Sequence, residues 1–383
     1  MNIAIAYAYN NNGMASWCIE AAYACLAQGH NVMLVASCEV SLPSDIPVIR
    51  LAEEYKQSRT LLEKIKGKLF RYRDVIPFLY SESKLLHKIH DSLISQDFLP
   101  EVYLLNQSNL YNKELSVKQL VVAWANKPFL FDYISRAFVL SKGVKSFFNQ
   151  LYNAMYWYNS DWFAYNNAYA VLAVTKTLQL NIAKYVKHAY VLYPPLMAKT
   201  PPLLKRESDK KKVSIGFFAL NIDAPRKGYN RLLDHIASWN GKDKIILELI
   251  GQVSQIFIDK LEQGSIEYVL HGRLPRGQAI KVVGELDILI FGSTIDDWGF
   301  VQVEAMSCGV VVLAPNKYPS DEIIGDSTHL YNHNSSKDFL EKLDYAITKI
   351  RETEGIRIKQ FERYQAHFSP EEFANKIEKI IRG

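Results

Sequence analysis

Two tandem α/β domains, each built on a parallel sheet, are what this sequence predicts, and three observations carry the prediction. Short apolar runs alternate with helical patterns along nearly all of the 383 residues. A proline- and charge-rich stretch, YPPLMAKTPPLLKRESDKKK, breaks that alternation near the middle. The composition, 49% hydrophobic and 22% charged, is globular at a length that splits into two domains of roughly 150–200 residues.

NIAIAYAY opens the chain as a strand, the turn-forming NNNG follows, and a helical pattern runs from about Met14 to Gln28 and stops at Gly29. NVMLVAS is the next strand. Strand, helix and strand within roughly 35 residues make a βαβ unit, which closes into a parallel sheet by a right-handed crossover. A helical region over 53–96, the strands VYLLN and QLVVAWA, an aromatic helical region over 134–168 and the strands AVLAV and AYVLY complete a first domain, 1–195. Residues 196–211 form the linker. In the second domain, 212–365, the alternation resumes with VSIGFFAL, the helix YNRLLDHIASW, IILELIG, a helix over 253–263, YVLHG and a helix over 275–284. LDILIFG, a helix over 298–308, VVVLAP and helices over 336–354 continue it. The last helix, within 366–383, spaces Phe373, Ile377 and Ile380 on one face and can pack on either domain, a return to the first being one of the two possibilities.

The amino-terminal MNIAIAYAYNNNG lacks the basic start and small-residue cleavage site of a signal peptide, and no apolar run approaches the ~20 residues that span a bilayer. A cytoplasmic protein without a membrane span is expected. Cys18, Cys25, Cys38 and Cys308 lie in apolar settings without CxxC or Cys/His ligand spacing, which predicts buried thiols rather than a disulfide framework or a metal site. The net charge is +5, yet residues 56–73 alone carry seven cations and one anion, a net +6. Leu61, Leu62, Ile65, Leu69 and Phe70 interleave with those cations, a pattern that suits either a solvated helix face or a helix lying on the inner surface of a membrane. No nucleic-acid motif is present. The cluster Phe147, Phe148, Tyr152, Tyr156, Trp157, Tyr158, Trp162 and Phe163 reads first as helix core, and second as a platform on which sugars stack.

The stretch STIDDWGFVQVEAMSCG, residues 293–309, poses the sharpest question. It places Glu304 among Val303, Ala305, Met306 and Cys308, and a buried carboxylate is costly without a partner. The stretch follows the strand LDILIFG, at the carboxyl edge where parallel sheets bind ligands, and the start of its helix favours an anion. Asp296 and Asp297 also fit an ordinary helix N-cap.

WGFVQVEAMSCGVVVLAP, with Asp296 eight positions before Glu304, resembles the E-x7-E region of family 4 glycosyltransferases. Further segments are similar to that family in the same order: QGHNVMLVA, AVLAVTKTL, YVLYPPL, PRKGYNRLL, YVLHGRLP and PSDEII. The resemblance implies a GT-B fold, two Rossmann-like domains facing each other across a cleft, and retaining transfer of a sugar from a nucleotide diphosphate donor. It implies no cofactor and no metal, with a UDP-sugar rather than a GDP-sugar as donor and a saccharide or lipid-linked glycan as acceptor, in surface polysaccharide synthesis.

By motif position, Glu304 holds ribose hydroxyls, and Asp296 takes the place of the family's first glutamate, near the donor sugar. Lys227 and, beside it, Arg226 neutralise the departing diphosphate. Gly13 lies in the loop where backbone approaches the phosphates. His271, Gly272, Arg273 and Leu274 flank the base, while Trp298, Gly299, Phe300 and Glu322 complete the donor contacts. The chain departs from the pattern where many members carry a His at the end of the strand written LVVAWANKP; Asn126 stands there and can donate a hydrogen bond but not relay a proton. Asp296 is one methylene shorter than the family's Glu, and no Arg follows GFFALN, a gap that Arg226 can fill. Two rivals follow from the departures: a GT-B relative that binds a partner or glycan without catalysis, and a nucleotide-sugar epimerase.

Overall fold

The computed structural model describes residues 1–7, 12–36, 45–50, 85–124, 144–197, 212–294, 296 and 298–383. Two compact units divide the chain: Met1–Pro195 with Phe373–Gly383, and Leu196–Glu372.

The first unit holds strands β1 (Asn2–Tyr7), β2 (Asn31–Ala36), β3 (Val48–Arg50), β4 (Val102–Leu105), β5 (Lys118–Ala123), β6 (Ala170–Ala173) and β7 (Ala189–Val191). They form one parallel sheet in the order β3-β2-β1-β4-β5-β6-β7. Helices α1 (Asn12–Ala27), α2 (Leu85–Ile94), α3 (Val144–Asn167) and α4 (Lys176–Ile182) cross between strands. Strands β4 and β6 are buried along their whole length, as expected of a sheet covered on both faces. Cys18 and Cys25 are buried thiols inside α1. The carboxy-terminal helix joins this unit by Phe373, whose ring meets Trp17 edge-on at 6.0 Å, and by the Ile381 carbonyl, which accepts from Lys118 Nζ at 2.7 Å.

The second unit holds β8 (Val213–Asn221), β9 (Ile245–Gln252), β10 (Tyr268–Gly272), β11 (Ile288–Ile290), β12 (Val311–Pro315) and β13 (Leu330–Tyr331). Its parallel sheet runs β10-β9-β8-β11-β12-β13. The helices are α5 (Tyr229–Ala237), α6 (Gln255–Gln263), α7 (Arg276–Glu285), α8 (Phe300–Ser307), α9 (Ser320–Ile324), α10 (Ser336–Glu352), α11 (Gly355–Phe368) and α12 (Pro370–Arg382), the last crossing into the first unit. Ile215, Phe217, Leu247, Leu249, Ile288, Ile290, Val311 and Leu313 bring the strands into one core, and Phe217 stacks on Tyr229 at 4.5 Å. Thus the two sheets, and the βα alternation that builds them, are those the hydrophobic pattern predicts. The short β3, β13 and α9 carry too few residues to show a period.

Strand order reverses beside β8: the chain goes outward through β9 and β10, then returns to lay β11 on the other side of β8. The carboxyl ends of β8 and β11 therefore diverge into loops at a switch point, which is where open parallel sheets take ligands. Among the described residues no helix is long and apolar enough to cross a membrane. The basic segment 56–73 and Asn126 lie outside the described residues.

Candidate active site

Backbone packing sets the switch point. Gly228, at φ 69°, follows the turn Pro225–Lys227, and a Cβ placed on it would come within 2.4 Å of the Gly292 carbonyl oxygen. A Cβ on Gly292 would in turn meet the Lys227 carbonyl at 2.4 Å. Two glycines thus let the turn after β8 press against the turn after β11. Ser293 Oγ adds a hydrogen bond to the Arg226 carbonyl at 3.1 Å, and the Tyr229 hydroxyl donates to the Phe218 carbonyl at 3.1 Å, fixing α5 to β8.

That contact brings Lys227 and Asp296 together. Lys227 Nζ donates to Asp296 Oδ2 at 3.1 Å and lies 5.8 Å from the Phe291 ring centroid. Asp296 is not the N-cap of α8. Gly299 holds that position without a side-chain bond, so the helix begins two residues later than Trp298 and the carboxylate is spent on Lys227 instead. Trp298 is buried edge-on against Phe368, with ring centroids 5.7 Å apart. Phe300 begins α8, and Arg226 is exposed.

Glu304 is buried, with its side chain 6% exposed, and its partner is Arg276 at the first position of α7. Arg276 Nε and Nη2 both donate to Glu304 Oε1, at 3.2 and 3.0 Å. Sequence reasoning missed Arg276, because 28 residues separate it from Glu304 and α7 shows no marked polar face; its only signal was a cation just past the β10 edge. Arg231 on α5 was missed as well. Its Nε is enclosed without a hydrogen bond, and its guanidinium lies beside Gly228, with Nη2 3.5 Å from the position of an added Cβ.

Beyond β9 and β10 lies a cavity of about 320 Å³ lined by Gly251, Gln252, Val253, Ile258, Leu270 and Gly272. Gly272 has φ 66°, and nothing lies within 4 Å of where its Cβ would be, so a flat group can approach the backbone there. His271 Nε2 is held by Glu248 Oε2 at 2.6 Å, while Arg273 is exposed and Leu274 partly buried. Glu322 sits in the first turn of α9, where its carbonyl accepts from Arg363. Gly13 lies in the first turn of α1, in the other unit. Among the described residues no group of three His, Cys, Asp or Glu side chains is placed to hold a metal ion.

Along the second sheet's carboxyl edge the order is therefore an apolar-walled cavity at β10 and β9, then cations and a carboxylate at β8 and β11. The strand-pair midpoints are two spacings apart, about 10 Å. A cavity for a flat ring, a buried acceptor and a cationic turn at such separations can hold a nucleotide through its base, its sugar and its phosphates.

Residues 204–359 match the family described as Glycosyl transferases group 1. None of the curated proteins matches this chain. In fold the chain is similar to sucrose-phosphate synthase from Thermosynechococcus elongatus, at 13% identity and TM-score 0.67, covering 100% of this chain and 98% of that one. It is also similar to Anabaena HepE in complex with UDP and glucose, at 15% identity and TM-score 0.65, covering 100% and 99%. A third similar structure is a mutant of TarM from S. aureus in complex with Fondaparinux, alpha-GlcNAc-glycerol and UDP, at 11% identity and TM-score 0.67, covering 100% of both chains. With two parallel α/β sheets matched over the full chain, this protein has the GT-B fold, and residues 204–359 are the part of it that is similar to the group 1 glycosyl transferases.

Proposed function

We propose that this protein is a retaining glycosyltransferase of the family 4 type, moving a sugar from a nucleotide diphosphate donor, a UDP-sugar, to a saccharide or lipid-linked glycan in surface polysaccharide synthesis. The observation that carries the reading is the placement of Lys227 and Asp296 at the β8/β11 switch point, inside the segment that matches the group 1 family. The UDP named with HepE and TarM favours a uridine nucleotide, and the saccharides named with TarM favour a glycan acceptor.

In this reading the base enters the cavity by Leu270 and Gly272, flanked by His271, Arg273 and Leu274, and the ribose reaches Glu304. The diphosphate meets Lys227 and Arg226. As the bond to the sugar breaks, negative charge grows on the diphosphate, and a fixed cation there stabilises the transition state more than the ground state. Asp296, held by Lys227, faces the donor sugar, with Glu322 and the 298–300 backbone completing its surroundings. The departing phosphate helps deprotonate the acceptor on the same face of the sugar, so no protein base is required and Asn126 need only hold a hydroxyl.

A panel of nucleotide diphosphates and nucleotide sugars tests this directly. A ligand present at a hundred times its Kd stabilises by about 2.7 kcal/mol, a readily measured rise in melting temperature. UDP and a UDP-sugar are expected to raise it, and slow hydrolysis of that donor is expected without acceptor. If no nucleotide diphosphate shifts the melting temperature, the proposal fails at its first step.

A further inference from the structure

Glu304 offers its two oxygens unequally. Each carboxylate oxygen has about two acceptor positions, and at Oε1 both are filled by Arg276, through Nε at 3.2 Å and Nη2 at 3.0 Å. Oε2 accepts no hydrogen bond from the described residues. Nor is it fully enclosed, so it keeps an opening to solvent. Arg276 is anchored where α7 begins, one turn past the β10 edge that lines the cavity, and its side chain is about one-third exposed.

Resting on the reading of Glu304 as the ribose acceptor, we propose that Arg276 is a positioning residue for the nucleotide, holding Glu304 by Oε1 and reserving Oε2 for a single ribose hydroxyl. The cation compensates a carboxylate that burial would otherwise penalise, and two bonds to one oxygen fix the rotation of the carboxylate plane. A diol that engaged both oxygens would have to break at least one Arg276 bond. One that uses Oε2 alone breaks none, but two neighbouring ring hydroxyls would reach that single oxygen from nearly the same direction, whereas its two acceptor positions lie well apart, so only one of them can bond to it in good geometry. The protein therefore distinguishes the two ribose hydroxyls: one is read by Glu304 and the other is not.

Titration calorimetry of the full chain with UDP and GDP, each also as its 2′-deoxy and 3′-deoxy form, tests the proposal in wild type, Arg276→Gln, Arg276→Lys and Glu304→Gln. Wild type is expected to lose about tenfold in affinity on removal of one hydroxyl and little on removal of the other, the scale of one hydrogen bond to a charged group. Arg276→Gln is expected to weaken the ribonucleotide several-fold and to erase the difference between it and the sensitive deoxy form, while Arg276→Lys, which keeps a donor and a charge, restores part of that difference. A merely structural role would lower affinity for all three forms alike. Unchanged discrimination in Arg276→Gln, or tighter binding of the ribonucleotide, overturns the proposal, as does equal loss with both deoxy forms in wild type. The underlying reading fails separately, if Glu304→Gln leaves every form bound as in wild type or if neither diphosphate binds.

Discussion

Lys227 Nζ lies 3.1 Å from Asp296 Oδ2, so one ion pair ties the turn after β8 to the turn after β11 across 69 residues of sequence. Both side chains are about one-fifth exposed. A pair so placed contributes at most about 1 kcal/mol to stability, whereas a cation aimed at charge developing in a transition state is worth about 3–4 kcal/mol. Lys227→Met is therefore expected to lower kcat/KM for the donor by ~100-fold or more while Tm moves by no more than about 4 °C. Steady-state kinetics beside calorimetry of the same variant checks both halves.

The two glycines behind that ion pair make a separate prediction. Gly292→Ala would push a methyl group to 2.4 Å from the Lys227 carbonyl, backbone that has no rotamer to yield. Destabilisation of about 1–3 kcal/mol is expected, with a loss of activity larger than that of a variant equally destabilised elsewhere. Gly277→Ala is the control. It is the second residue of α7 with nothing within 4 Å of its Cβ, and the exchange there is expected to leave stability unchanged or slightly raised.

At the opposite edge of the same sheet, Arg357 Nη2 donates to Asp287 Oδ1 at 2.8 Å, with side chains 3% and 8% exposed. Asp287 Oδ2 accepts from the Ser214 amide and hydroxyl at 2.9 and 3.0 Å. Removing one partner of a buried pair costs about 3–5 kcal/mol because the other charge is left uncompensated. Arg357→Met is expected to lower the unfolding free energy by that amount in a denaturant titration, and Arg357→Met with Asp287→Asn to recover part of it.

His329 supplies a pH dependence. It is buried, Nδ1 lies 3.0 Å from Thr328 Oγ1 and 3.4 Å from Asp326 Oδ2, and Nε2 is enclosed without a partner. Burial holds its pKa below the ordinary 6.5, outweighing the attraction of Asp326, with Lys342 and Lys359 acting in the same direction as burial. The unfolded chain therefore binds the proton more readily. This contribution to stability is complete above about pH 6.5 and is lost as pH falls, by at most about 1.4 kcal/mol per pH unit for the single group. Unfolding free energies at pH 7, 6 and 5 are expected to fall less steeply in His329→Gln than in wild type.

The charge of residues 56–73 leads to a membrane test. Flotation with anionic vesicles is expected to carry the protein upward at low salt, and neutralising Lys64, Lys66, Lys68, Arg71 and Arg73 to abolish it, since each cation near such a surface is worth about 1 kcal/mol. Flotation unaffected by those five changes would refute peripheral attachment through this segment.

Much of the fold was legible because burial writes a period into the chain. Apolar runs such as ILELIG and VVVLAP, separated by helical patterns, demand parallel strands covered on both faces, and the two sheets supply them. Glu304 was legible in the same way, as a carboxylate among apolar neighbours that had to find a partner. Its protein partner was not. Arg276 stands 28 residues away, and nothing in the spacing of either residue indicates that α7 and α8 meet with these side chains facing.

By itself, then, the sequence determined which of the longer segments form strands and helices, and that cations and carboxylates follow the strands VSIGFFAL and LDILIFG. Those properties are local, since they follow from the period of apolar residues and the chemistry of turns. Only the tertiary structure decided that Asp296 pairs with Lys227 rather than capping a helix, that Gly228 and Gly292 touch, and that Arg276 takes one oxygen of Glu304. Each of these is a meeting of segments brought side by side by the strand order β8-β11 or by helix packing. Side chains far apart in the chain acquire partners only when that order sets their distance.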